Sequence, residues 1–215
     1  MHPSSILFVI SAPSGAGKTS LITRLIQEDP NLCRVITHTT RLPRPSEKHE
    51  VDYHFVSSEK FNYLKQKGDL VEHAKVFGLD YGTTAKSIES ACFDPQKKQP
   101  RDAIINIDYQ GAKCFINTYP KQATSIFILP PSWEALEARL RSRGSDSEVV
   151  IRQRLQAARE EIAQYGLFNY CVVNDNFEIT LKEIQAIIIA ERAKTERVYQ
   201  KPSNQKLFSD FLETN

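Results

Sequence analysis

The sequence has no C-x-x-C pair: Cys33, Cys92, Cys114 and Cys171 are scattered along the chain. That argues against a zinc ribbon or a disulfide framework and for free thiols in a reducing cytosol. The five histidines, at 2, 38, 49, 54 and 73, are not spaced as metal ligands. Charge of either sign is not in excess: 28 basic and 26 acidic residues leave a net +2, so no global pull toward nucleic acid or membrane is expected. No apolar run is long enough to span a membrane, and Met1-His2-Pro3 gives no charged leader to the short run at Ile6–Ile10. Internal repeats and low-complexity tracts are also missing. What remains is an ordinary 215-residue globular chain, 40% hydrophobic and 25% charged, long enough for one large α/β domain with inserted lobes.

The chain is organised around residues 6–19. Ile6–Ile10 is apolar and partly β-branched, which predicts a buried strand. A turn with Pro13, Gly15 and Gly17 follows, and Leu21, Ile22, Leu25 and Ile26 recur at helical spacing, so a helix starts near Lys18. Strand, glycine-rich loop and Gly-Lys-Thr opening a helix is the context of a phosphate-binding P-loop. Unpaired backbone N–H groups and the positive end of the helix dipole make an anion nest there. Lys18 adds a full charge, and the Thr19 hydroxyl suits Mg²⁺. The first motif position holds Ala12 in place of glycine. The plainer alternative is a β-turn leading into a capped helix.

Further along, Arg34–Thr37 predicts a short strand and His38–Pro45 an irregular, proline-stiffened loop. Arg41 and Arg44 on that loop can converge on one anion, or form a solvated basic surface. Residues 46–52 predict a hairpin or loop, and Tyr53–Val56 a strand. Ser57 is placed to cap a helix ended by Gly68. Leu70–Phe77 predicts a strand pair around Gly78, Tyr81–Thr84 a turn, and the residues to about Cys92 a helix. Residues 37–83 thus form a small mixed unit unlike the α/β pattern around it. Asp94–Arg101 predicts a polar loop. Ala103–Asp108 is an apolar strand ending in a carboxylate, at the strand end where open α/β sheets bind ligands; Asp108 could equally cap the helix after it. Ser125–Leu129 is another buried strand. Two helices follow. The first is capped by Ser132, with Trp133, Leu136 and Leu140 inward. The second is capped by Asp146 or Ser147 and runs to about Gln164. Arg139, Arg143, Arg152, Arg154 and Arg159 decorate this pair, either as anion ligands or as a face salt-bridged to Glu137, Glu148, Glu160 and Glu161. Tyr170–Val173 is the last strand, Ile179–Arg197 a terminal helix, and 201–215 a tail that docks as a short helix or frays.

From about Leu7 to Arg192 the chain resembles the guanylate kinase family. The matching runs are Ala12–Thr19, His38–Pro45, Val51–Ser57, Tyr81–Thr83, Ile107–Ala112, Ile126–Ser132, Arg143-Gly144 and Val173–Asp175. The resemblance implies a P-loop kinase with a parallel-sheet core (1–36, 84–131 and 165–200), a GMP-binding lobe (37–83), a short helical lid (about 132–164) and a tail (201–215). It implies transfer of the ATP γ-phosphoryl group to GMP, and to dGMP, with Mg²⁺, in purine nucleotide metabolism in the cytoplasm. ATP would lie on Ala12, Pro13, Ser14, Gly15, Ala16, Gly17, Lys18 and Thr19, with Asn174 and Asp175 near adenine. Arg41, Arg44, Tyr53 and Tyr81 match positions that hold the GMP phosphate; Thr37, Glu72, Thr83 and Asp108 match those that read guanine. Arg143 and Arg154 match lid arginines that reach the ATP phosphates and, with Lys18 and Arg41, make the catalytic set. Asn106 stands where members commonly carry an acidic residue. Two rivals stay open. One is a guanylate-kinase-like binding module that has lost catalysis, against which the intact Gly17-Lys18-Thr19 weighs. The other is a P-loop kinase for another phosphorylated compound, such as ribose bisphosphate, against which Thr37 and Glu72 beside Asp108 weigh.

Overall fold

The computed structural model describes residues 2–45, 47–76, 78–142 and 147–212. In chain order the elements are β1 (Leu7–Ser11), α1 (Lys18–Glu28), β2 (Leu32–Arg34), β3 (His38–Thr39), β4 (His54–Phe55), α2 (Ser58–Lys67), β5 (Leu70–Val76), β6 (Leu79–Thr84), α3 (Ala85–Ala91), β7 (Phe93–Asp94) and β8 (Gln99–Pro100). There follow β9 (Asp102–Asn106), α4 (Tyr109–Thr118), β10 (Ala123–Leu129), α5 (Trp133–Ser142), α6 (Glu148–Ile162), β11 (Tyr170–Val173), α7 (Phe177–Arg192), α8 (Thr195–Gln200) and α9 (Pro202–Leu212).

Five strands make an all-parallel sheet in the order β11-β10-β1-β9-β2. A parallel sheet needs both faces covered, and the alternation of β1 shows how this chain does it. Phe8 and Ile10 point into one layer with Leu21, Leu25, Ile184 and Ile188 from α1 and α7. Leu7 and Val9 point into the other with Ile88, Ala112 and Phe115 from α3 and α4. A second sheet, β4-β3-β6-β5, mixes parallel and antiparallel pairs and stands where the sequence predicts the mixed unit. A third small cluster, Leu136, Leu140, Ile151 and Ala158, joins α5 to α6. Ser57 caps α2 through the Lys60 amide, and Gly68 ends that helix in the left-handed region at φ 74°.

Several expectations need correction. His38–Thr39 is strand, because the proline restriction begins only at Leu42, and these two residues pair with β4 and β6. Tyr81–Thr84 belongs to β6 and is no turn; Gly82 marks a close approach, since a Cβ there would lie 3.0 Å from the Glu72 carbonyl oxygen and 3.1 Å from Phe61. The strand predicted at Arg34–Thr37 begins earlier and ends at Arg34. The loop at 94–101 contains the β7/β8 hairpin. Trp133 is 41% exposed, not core, and lies under the Arg159 guanidinium. The terminal helix breaks after Arg192, where no Gly or Pro signals it, and α8 restarts at Thr195. Ser147 caps α6 through the Val150 amide, while Asp146 lies outside the described residues. No helix among the described residues is long and apolar enough to cross a membrane.

Phe115 is fully buried on one face of the sheet. Phe115→Ala is expected to cost about 3–5 kcal/mol, as for other emptied aromatic core sites. Urea unfolding measures this, and a loss under about 1 kcal/mol would mean that α4 does not seal this layer.

Candidate active site

A cavity of about 300 Å³ opens beyond the carboxyl ends of β1 and β9. It is bounded on one side by the loop after β1 and on the other by the second sheet. The loop is shaped by its glycines. Gly15 and Gly17 take φ of 99° and 93°, which side chains resist. A Cβ on Gly15 would lie 3.0 Å from Leu136 of α5, and one on Gly17 only 2.3 Å from Asn174 Nδ2. Gly17 is also the cap of α1 and offers no side chain to its first amides, which leaves them to an anion. Lys18 Nζ donates to the Ile107 carbonyl at 3.1 Å and to the Ala12 carbonyl at 3.5 Å. Arg154 of α6 reaches back to this loop and donates to Ser14 Oγ at 2.7 Å.

On the opposite wall stand Thr37, Arg44, Tyr53, Glu72, Tyr81 and Asp108. Glu72 is buried, and its Oε1 accepts from the Thr83 hydroxyl at 2.7 Å. Burial, helped by the negative charge of Asp108, pushes its carboxyl up to about 7 against the pull of Thr83. Asp108 does both things the sequence left open: its Oδ1 caps α4 by accepting from the Gly111 amide at 2.8 Å, and it lines the cavity.

The sequence-predicted residues are not all brought together. Ala12, Pro13, Ser14, Gly15, Gly17, Lys18, Thr19, Thr37, Arg44, Tyr53, Glu72, Tyr81, Asp108 and Arg154 share the one cavity. Ala16, Arg41, Thr83, Asn174 and Asp175 do not line it. Thr83 acts through Glu72. Arg41 is engaged by Glu47 at 2.9 Å and by the Leu42 carbonyl at 2.8 Å, with its guanidinium over the Tyr53 ring. Asn174 is buried and donates to the Ala16 carbonyl at 2.7 Å, while its own carbonyl accepts from Arg139 at 2.9 Å. It therefore ties the phosphate loop to α5. Arg143 lies outside the described residues.

Two residues escaped sequence reasoning. Glu47 bonds Arg41 and also accepts from the Arg44 amide at 2.8 Å, so it prearranges the arginine pair. Its place after a proline loop carries no pattern signal. Glu161 of α6 lines the cavity beside Lys18. Burial pushes its carboxyl up to about 7, opposed by Lys18 and aided by Asp108 and Glu160. The same burial pulls Lys18 down to about 8, with Glu161 and Asp108 holding it up. On sequence Glu161 reads as one more charge on a helix face; only its neighbour Ile162, on the apolar side, hints that it turns inward.

The histidines also depart from expectation, because ligand-type atoms of His49, Glu50 and His54 lie within 4.8 Å of one another. Sequence spacing missed this because the bend at Glu50, φ 64°, folds His49 back toward β4. His49 Nδ1 accepts from the Phe55 amide at 3.1 Å, so a neutral ring carries its proton on Nε2, facing Glu50. Nε2 lies 3.9 Å from Glu50 Oε1, beyond hydrogen-bond reach, and both side chains are exposed, so these groups are loose surface neighbours.

Comparison with known proteins agrees with this geometry. The guanylate kinase family model matches residues 4–191. A guanylate kinase of Nitrosomonas europaea is 49% identical, over 90% of this chain and 93% of that protein. One of Alkalilimnicola ehrlichii is 44% identical, over 96% of this chain and 98% of that protein. The crystal structure of guanylate kinase from Anaplasma phagocytophilum superposes with a TM-score of 0.73 at 32% identity, covering 90% of this chain and 89% of the other. With a parallel-sheet core, a phosphate loop in place and likeness over nearly its whole length, the chain belongs to the guanylate kinase family.

Proposed function

We propose that this chain transfers the γ-phosphoryl group of ATP to GMP, and to dGMP, yielding ADP and GDP in purine nucleotide metabolism. One observation carries the reading: a single cavity holds the phosphate loop with Lys18 and Arg154 on one wall and Thr37, Glu72 and Asp108 on the other. The assignment divides the chain into a core (1–36, 84–131, 165–200), a GMP lobe (37–83), a lid (about 132–164) and a tail (201–215). It makes the protein a cytoplasmic enzyme whose partners are its two nucleotides, not nucleic acid or membrane.

The residues have distinct tasks. ATP phosphates lie on the loop from Ala12 to Thr19, with Asn174 and Asp175 toward adenine, Asn174 acting through its hold on Ala16. Arg41, Arg44, Tyr53 and Tyr81 take the GMP phosphate. Glu47 already neutralises the arginines, so an arriving phosphate shares them with it. The GMP oxygen that attacks is largely ionised at neutral pH, its second pKa being about 6 as in other phosphomonoesters. Two polyanions must meet, so the chemistry needs charge neutralisation and alignment more than a base. Lys18, Arg154 and Arg143 supply that charge. Thr19 and Asn106 line the cavity together with Asp108 and Glu161, and each of these side chains carries an oxygen. That all-oxygen set fits Mg²⁺, which favours oxygen and retains waters beside substrate phosphates; Thr19 is the residue that would hold it. The ion, when bound, offsets phosphate charge.

Guanine presents N–H donors at N1 and N2, and carboxylates accept them. Adenine places a lone pair at N1, which Glu72 would repel. Leaving such buried groups unpaired can reject the wrong base by up to about 10⁴-fold. A coupled ADP-release assay across GMP, AMP, UMP and ribose 1,5-bisphosphate tests the function; turnover of another acceptor in preference to GMP would overturn it. Lys18→Ala is expected to lower kcat by roughly 10²-fold or more, the scale of losing one electrostatic stabiliser. Turnover near wild type in a folded variant would remove Lys18 from the mechanism.

The position of Glu72 near 7 adds a pH test. Its ionised form accepts from guanine, so GMP affinity should fall as pH drops through about 7. Glu72→Gln is expected to weaken GMP, narrow the GMP/AMP ratio and flatten that part of the KM profile. The phosphate titration near pH 6 persists in the variant and serves as an internal control. An unchanged slope and ratio would take Glu72 out of the recognition set.

A further inference from the structure

Three carboxylates, Glu72, Asp108 and Glu161, line the cavity beside three cations, Lys18, Arg44 and Arg154. Two of these carboxylates are held by hydrogen bonds, Glu72 by the Thr83 hydroxyl and Asp108 by the Gly111 amide. Glu161 is not. Among the described residues no hydrogen bond or ion pair engages it, and only the charges of Lys18, Asp108 and Glu160 act on it through space. Its side chain is half-buried, with its oxygens open to the cavity. Arg154, Ala158 and Glu161 follow at steps of four and three, so they share one face of α6. Ala158 is buried against α5 and Arg154 bonds Ser14. Glu161 meets the cavity two turns after Arg154, or about 10 Å along the helix. It therefore comes from the helix that reaches the phosphate loop, not from the sheet that carries Glu72.

A half-buried carboxylate with no hydrogen bond is costly, and more so where phosphates are to arrive. Its neighbours do not relieve it. Asn106, at the end of β9, offers an oxygen but no charge, and Asp108 adds repulsion. The arrangement is favourable only when the incoming nucleotide brings a divalent cation with it. We propose that Glu161 is a specificity-determining residue that admits the Mg²⁺ complex of ATP and disfavours the metal-free nucleotide. This rests on the reading that ATP is the donor. A metal-free triphosphate sets its full negative charge against the carboxylate. Mg²⁺ offsets part of that charge and keeps several waters, whose hydrogens a free carboxylate can accept. Glu161 thus supplies from α6 the charge that Asn106 does not supply from β9. Because Arg154 shares its face, the helix that brings a cation to the phosphates also brings the group that selects for the metal.

The test is calorimetry of the full chain with the β,γ-imido analogue of ATP, in EDTA or in excess MgCl₂ at equal ionic strength. At about pH 7.5 Glu161, raised to about 7, is ionised in larger part, and Lys18, lowered to about 8, is still mostly charged. Wild type is expected to bind the analogue more tightly in MgCl₂. Glu161→Gln keeps the shape and removes the charge. The ratio of the Kd in EDTA to the Kd in MgCl₂ should then narrow by roughly tenfold or more, the scale on which a lost outer partner lowers metal affinity. A role in packing alone would move both Kd values together and leave the ratio as it was. Asn106→Asp, added to Glu161→Gln, returns a carboxylate to the cavity and should widen the ratio again. An unchanged ratio in Glu161→Gln, or no widening on adding Asn106→Asp, would overturn the proposal while the donor assignment stands. Failure of the wild type to bind the analogue in either solution would overturn the donor assignment and the proposal together.

Discussion

The structure depends on holding one ammonium, Lys18, out of bulk water without leaving it alone. Burial pulls its pKa down to about 8, and Glu161 and Asp108 keep it charged at neutral pH. Glu161 bears the opposite strain, pushed up to about 7 by its own burial. The two effects act on stability with opposite sign. Glu161 and Glu72 bind protons more tightly folded than unfolded, so their contribution is full below the ordinary carboxylate value of 4.5 and is lost as pH rises through about 7. Lys18 binds its proton less tightly when folded, so its burden is relieved as pH rises from about 8 toward 10.5. Neutral pH is a compromise that a site built for polyanions can accept. A bound phosphate would favour the charged ammonium, and the cavity is prearranged for it.

The loop that carries Lys18 is held from behind. Asn174, at the end of β11, donates to Ala16, and Arg139 of α5 donates to Asn174. Arg154 of α6 meets Ser14 from the front. The helices that bear the arginines are therefore coupled to the phosphate loop through two separate polar contacts, with Leu136 and Leu140 packed against Gly15. Any movement of α5 and α6 has to pass through those contacts. This explains why Gly17 has no room for even one carbon: the space is taken by Asn174.

Much of this was legible from the chain. β1, the loop and α1 announce themselves because three independent signals coincide: an apolar run, left-handed glycines and a helical period. Ser57 and Gly68 bracket α2 for local reasons, and local reasons are visible in sequence. What escaped was nonlocal. Gly82 looks like a turn, yet its role is to let Phe61 and β5 approach. Glu161 looks like a solvated charge until α6 packs it over Lys18. The break after Arg192 has no breaker residue; it falls where Arg192 is fixed by Asp29 and Asp102 and Arg197 by Glu191, partners remote in sequence except for Glu191. Asp108 taught the same lesson in milder form, because a cap and a site residue need the same carboxylate at the same strand end.

The wall that carries Glu72 shows how register places chemistry. β5 and β6 pair antiparallel with Glu72 opposite Thr83, after an irregularity between Leu70 and Glu72. Side chains alternate across a strand, so a slip of one residue would send Glu72 to the other face and put His73 in its place. His73 is exposed in the present register, and Glu72 is buried with its oxygen on Thr83. The irregularity is thus what lets the hydroxyl of one strand restrain the carboxylate of the other. Held by Thr83, Glu72 keeps one oxygen engaged and brings the other near the first turn of α4, within 3.2 Å of where a Cβ on Gly111 would stand. A Cβ at 111 would strike the Ile107 side chain at 2.3 Å and crowd Glu72 as well. The placement of Glu72 therefore rests on backbone pairing and one glycine as much as on the carboxylate itself.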